Sequence, residues 1–206
     1  MITDVTPVDG SLAWEPFAIP GGTESVSLVR LRSEPSTRAF TVLVRFPSGW
    51  ERPTGGHYEA AEDVVFLEGT LQINDDVYTA GDWAYLPAGY PRRTSRAHTD
   101  VLCIARFSGP ARWNASVDAT PIELASHRRL SDAGEPVEFA FGLGIPLRWG
   151  EPGSDWFLPS GLSDGHIAPL EAELVDLDAR AYAAVSAGDQ LPAFHGPVFC
   201  RTFEPG

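Results

Sequence analysis

Apolar and polar positions alternate along most of the first half of the chain, the period-two pattern of strands with one buried face. Glu24 to Arg32 (ESVSLVRLR) sets Val26, Leu28 and Arg30 on one face and Ser27, Val29 and Leu31 on the other. Arg38 to Phe46 (RAFTVLVRF) repeats the pattern, and its β-branched and aromatic residues suit a pleated, half-buried surface. Asp63–Glu68, Thr70–Ile73, Val77–Thr79, Trp83–Leu86 and Val101–Phe107 continue the series. Turn formers separate them: Pro47-Ser48-Gly49, Gly69, Asn74-Asp75-Asp76, Ala80-Gly81-Asp82 and Pro87-Ala88-Gly89. About seven short strands with no helix between them predict an all-β antiparallel sandwich or barrel. A parallel sheet is disfavoured, because each crossover needs a dozen or more residues.

The second half carries weaker periodicity. Ile122 to Leu130 reads as a short helix or a strand, and Val137–Phe141 and Val198–Phe203 as strands. Gly142 to Gly153, rich in glycine and proline, predicts irregular backbone. Between Ala168 and Ala184, Leu170, Leu174 and Leu177 recur at helical spacing, while Leu170, Ala172 and Leu174 alternate with Glu171 and Glu173 as in a strand. The division expected is residues 1–112 as one barrel and 113–206 as an elaborated extension or a decayed second barrel.

Composition narrows the chemistry. With 206 residues, 43% of them hydrophobic, the chain can bury a core; 20 glycines and 18 prolines favour short elements joined by tight turns. All 15 basic side chains are arginine, which excludes a Schiff-base lysine and the phosphate loop that needs one. The net charge of -13 repels nucleic acid and anionic lipid, and the short Arg92-Arg93 and Arg128-Arg129 pairs do not reverse it. No run approaches 18 apolar residues and no signal peptide is visible, so the expectation is a cytoplasmic protein without membrane or nucleic-acid partners. Cys103 and Cys200 sit in apolar runs and read as buried strand thiols, with a disulfide requiring an oxidising compartment.

One segment stands apart chemically, Gly49 to Gly69 (GWERPTGGHYEAAEDVVFLEG). On a strand His57 and Glu59 project to one face, and after a bend Glu62 or Asp63 swings a carboxylate back toward them. An imidazole with carboxylates suits a divalent ion such as Zn, Fe, Mn or Ni; a solvated acidic turn with an incidental histidine is the plainer reading. His98 reads as a solvent-exposed residue of a polar loop, and His127, His166 and His195 have no partner at metal-like spacing.

These residues resemble the cupin family of small jelly-roll β-barrels. Glu62, six residues and Gly69 fit the end of its first motif, and Gly81-Asp82-Trp83-Ala84-Tyr85-Leu86-Pro87-Ala88-Gly89 keeps the spacing of its second. The run from Phe40 to Trp113 is similar to the zinc cupin domain of certain anti-sigma factors and to acetophenone-type dioxygenases. The resemblance implies a metal held by two histidines and a glutamate of the first motif and a histidine of the second. Strict counting sets Gly55 at the first histidine and His57 at the second; a loop shortened by one sets His57 and Glu59 there instead. Arg92 stands at the last histidine and, always charged, has no lone pair to offer a metal.

Two outcomes stay open. In one, His57, Glu59 and Glu62 hold a divalent metal, Arg92 clamps an anionic substrate group, and Tyr85 and Tyr90 assist as catalytic-site residues. That gives an oxygenase or a Lewis-acid isomerase, cyclase or lyase acting on a small organic molecule. In the other, Arg92 replaces the metal and pairs with Glu59 or Glu62, giving a metal-free binding or sensing module. Trp50, Tyr58, Phe66 and Trp83 are candidate pocket walls for an anionic or aromatic ligand. Family habit implies a homodimer.

Overall fold

The structure, a computed structural model, describes residues 6–7, 12–121, 124–132, 134–147, 155–162 and 166–203. Regular structure is strand throughout, apart from a single 3-10 turn at Leu130–Asp132 among the described residues. The chain divides into two compact units: Leu12–Arg129, and Met1–Ser11 with Leu130–Gly206.

In the first unit a seven-stranded antiparallel sheet has the order Ser126–Arg129, Asp82–Leu86, Glu62–Glu68, Val101–Phe107, Phe40–Phe46, Val26–Ser33, Glu15–Phe17. A four-stranded sheet, Glu51–Arg52, Ser95–Ala97, Thr70–Ile73 and Asp76–Thr79, shares its core, and His57–Tyr58 pairs with Trp113–Asn114. The cupin-like architecture is thus assembled from open sheets, none closed on itself. The alternation read from sequence sets the faces. Val42 lies opposite Ala105 and Arg30, Val44 opposite Cys103 and Leu28, and Phe66 opposite Cys103. That face packs with Leu71, Ile73, Tyr78 and Ala97 of the smaller sheet. Small side chains at Cys103 and Ala105 on a central strand leave room, and a cavity of about 500 Å³ opens against them.

This unit runs past the 112/113 boundary expected from sequence because later strands are woven into it. Trp113 and Asn114 pair with Tyr58 and His57, and Ser126–Arg129 extends the large sheet beside Asp82–Leu86. Residues 122 and 123 of the ambiguous 122–130 segment lie outside the described residues, and its end is this strand.

The second unit is another seven-stranded antiparallel sheet, in the order Thr6–Pro7, Ala181–Val185, Glu171–Asp176, Val198–Phe203, Asp155–Leu158, Gly142–Pro146, Val137–Phe139. Ala172 and Leu174 are fully buried in its core with Leu158, Val198 and Cys200, so alternation prevails over the leucine spacing there. The irregular backbone expected at Gly142–Gly153 is corrected for Gly142–Pro146, which gains strand partners on both edges. Residues 148–153 lie outside the described residues. Both cysteines are buried and free, and burial pushes both thiols up from their ordinary pKa.

Two glycines of the motif turns have the left-handed backbone that disfavours side chains, with different surroundings. At Gly69 (φ 77°) an added Cβ would meet the Asp100 carbonyl oxygen at 1.9 Å, whereas at Gly81 (φ 85°) nothing lies within 4 Å. Gly81→Ala is expected to cost about 1–2 kcal/mol from backbone strain alone, and Gly69→Ala about 3–4 kcal/mol, read by urea unfolding. Equal costs would mean that the close approach to Asp100 is relieved at no expense.

Candidate functional site

The cavity lies within the first unit, walled by Val42, Val44, Phe46, Trp50, Val64 and Phe66 among others. Its polar groups come from short strands and loops. Glu62 opens the strand Glu62–Glu68 and faces inward opposite Leu86 and Phe107, beside the Phe40–Phe107 ring stack. Arg52 lies across from Ser95 in the smaller sheet, both inward; their neighbours Glu51 and Arg96 form an exposed ion pair at 3.3 Å. Arg92 is fixed by its backbone: its N–H donates to the Gly56 carbonyl at 2.8 Å and its carbonyl accepts from Gly56 N–H at 3.0 Å. Tyr58 reaches in from its two-residue strand.

These groups are deeply buried, with 4% exposure for Arg52, 7% for Glu62, 5% for Arg92 and 4% for Ser95. Arg92 donates from Nη2 to Glu62 Oε2 in a close ion pair, and its guanidinium lies 4.8 Å from the Tyr58 ring centre. Arg52 makes only a long bond, 3.4 Å, from Nη1 to the Tyr58 hydroxyl. It is boxed by aromatic faces, 4.1 Å from the Trp113 centroid, 5.6 Å from Tyr58 and 5.9 Å from Trp50. Burial above all lowers the Arg52 pKa from its ordinary value; Arg92 adds to the shift and Tyr58 opposes it. The Nε atoms of Arg52 and Arg92 and the Ser95 hydroxyl are buried without a hydrogen-bond partner.

The six residues singled out from sequence are only partly brought together. Glu62 and Arg92 meet inside the cavity. Neither His57 nor Glu59 lines the cavity, whereas Tyr58 between them does. His57 donates from Nδ1 to the Ser116 carbonyl at 2.8 Å, and Glu59 is exposed. Among the described residues no three His, Cys, Asp or Glu side chains group to hold a metal ion. Of the ligands expected from sequence for the divalent ion that the fold implies, only Glu62 lines the cavity, already paired with a guanidinium, and these residues do not fit such an ion. Tyr85 lies opposite Asp63, on the sheet face away from Ala84 and Leu86, and Trp83 shares that face. Tyr90 does not line the cavity; its hydroxyl accepts from Asn74 Nδ2 at 3.3 Å. Trp50, Tyr58 and Phe66 do line it. Arg52 and Ser95 were not singled out. The signal for Arg52 is its place two residues from Trp50, on the same face of an extended segment.

Residues 5–112, just over half of the chain, match the ChrR cupin-like domain family. The chain belongs to that family. No curated protein matches it. Among solved structures, this cupin is similar to a candidate dioxygenase from Nostoc punctiforme, with TM-score 0.77 at 14% identity over 100% of this chain and 88% of that one. It is similar also to YlbA from E. coli, with TM-score 0.55 at 16% identity over 98% and 91%. An acetylacetone dioxygenase from Acinetobacter johnsonii matches with TM-score 0.47 at 14% identity over 57% and 81%. At such identities the first two likenesses are of fold. No helix among the described residues is long and apolar enough to cross a membrane.

The pairing of Glu62 with Arg92 has a measurable signature. Either Glu62→Gln or Arg92→Met alone strands a buried charge and is expected to cost about 3–5 kcal/mol. The double variant should cost far less than the sum, giving a coupling energy of about 2 kcal/mol or more in a denaturation cycle. Additive losses would show that the two side chains do not depend on each other.

Proposed function

We propose that this cupin is a metal-free module that binds or senses a small organic molecule in its apolar cavity. The observation that carries the reading is the Glu62–Arg92 ion pair. In it a guanidinium supplies the positive charge that the motif carboxylate needs, at the position where the family pattern has a histidine. A carboxylate paired with arginine is a poor donor for a second cation, and neither His57 nor Glu59 lines the cavity. The volume of about 500 Å³, the apolar and aromatic wall and a few convergent polar groups suit a small-molecule site. An oxygenase or Lewis-acid enzyme asks for several ligands around an open coordination position, and the side chains present do not supply them. Cys103 lines the same cavity, yet burial raises its pKa and keeps it a thiol, a weak nucleophile.

Protein purified without an affinity tag is expected to contain no stoichiometric iron, zinc, manganese or nickel by elemental analysis. Added ions should leave its melting temperature unchanged, in the parent and in His57→Ala alike. Stoichiometric metal that disappears in His57→Ala or Glu62→Gln would overturn the reading in favour of a metal centre.

A further inference from the structure

Among the described residues of the cavity, the buried ionic groups are two guanidiniums, Arg52 and Arg92, and one carboxylate, Glu62. Arg30 and Glu15 also reach the cavity, but both are exposed and opposite in sign. One buried positive charge therefore remains without a buried carboxylate of its own, and isolated buried charge is costly. The surplus falls on Arg52, whose contacts are aromatic faces and one long bond to a hydroxyl. Three donors around it are unused and buried: Nε of Arg52, Nε of Arg92 and the hydroxyl of Ser95. A guanidinium offers Nε–H beside an Nη–H as a fork that matches the two oxygens of a carboxylate.

We propose that the ligand is an apolar monocarboxylate whose carboxylate sits on Arg52, Arg92 and Ser95 and whose hydrocarbon or ring body lies along Val42, Val44, Phe46, Val64 and Phe66. The proposal rests on the ligand-binding reading above and adds the ligand's charge and polarity. A monoanion makes the buried set neutral and uses donors that the protein leaves idle. The apolar wall gives a second charge no partner.

The test is isothermal titration of the full chain with ω-phenylalkanoates from phenylacetate to 6-phenylhexanoate, each paired with its neutral amide. At the best length the acid should bind about tenfold or more tighter than the amide. In Arg52→Met that preference should shrink to about twofold or less, while the ligand-free variant melts at a higher temperature than the parent because a stranded charge is gone. Ser95→Ala, a smaller change, should weaken the acid about threefold to tenfold and leave the amide within about twofold. A series in which no acid outbinds its amide overturns the proposal, as does a preference retained in Arg52→Met. These outcomes leave the metal-free reading standing, since that reading fails on metal content.

Discussion

A carboxylate buried in an apolar cavity must be met by positive charge or give up its own, and in this protein Arg92 meets Glu62. The pairing governs the site. Desolvating two ions costs several kcal/mol each, so the pair holds only if its geometry is fixed from outside. The fixing is visible in the backbone. Arg92 is clamped by reciprocal hydrogen bonds to Gly56, and Glu62 belongs to a strand hydrogen-bonded on both edges. The cation beside Glu62 is thus held by the chain itself.

Arg52 poses the opposite problem, a buried cation without a carboxylate beside it. Its guanidinium lies over Trp113 and near Tyr58 and Trp50, and such faces attract a cation by about 0.5–2 kcal/mol each. That attraction makes the charge tolerable without neutralising it, which leaves a field directed into the cavity. The cavity thus joins buried arginines to an apolar and aromatic wall that includes Val42, Val44, Phe46, Val64 and Phe66.

Legibility from sequence followed the length of the elements. Strands of five to eight residues, such as Val26–Ser33 and Val101–Phe107, are long enough to be read from their apolar and β-branched content, though the register shifts between Arg30 and Arg32 and between Leu102 and Cys103 are not. Glu62 and Arg92 were found by motif spacing, and their pairing was one of the two outcomes it left open. The two-residue strands Glu51–Arg52 and His57–Tyr58 are too short to show a period. Their faces are decided by partners distant in sequence: Ser95 and Arg96 for one, Trp113 and Asn114 for the other. Spacing in a two-residue strand does not say which side of the sheet His57 looks to, and Glu59 lies beyond the strand's end. Arg52 was overlooked for the same reason. In the second unit, strands such as Gly142–Pro146 carry residues of low strand propensity and are held by their neighbours, which local reading underestimates.

The glycines before His57 sit where side chains would collide with a neighbouring segment. Strict counting puts Gly55 at the first histidine of the family pattern, where even a Cβ would meet Val117 Cγ1 at 2.3 Å. At Gly56 a Cβ would strike Trp113 Cζ2 at 2.3 Å and the Asn114 carbonyl oxygen at 2.4 Å. The segment 113–117 therefore occupies the space that side chains at 55 and 56 would need. That same segment supplies the Trp113 face over Arg52 and the Ser116 carbonyl that engages His57. The docking of residues 113–117 against the glycine pair thus fills the space beside positions 55 and 56 and also supplies the aromatic face over the Arg52 guanidinium.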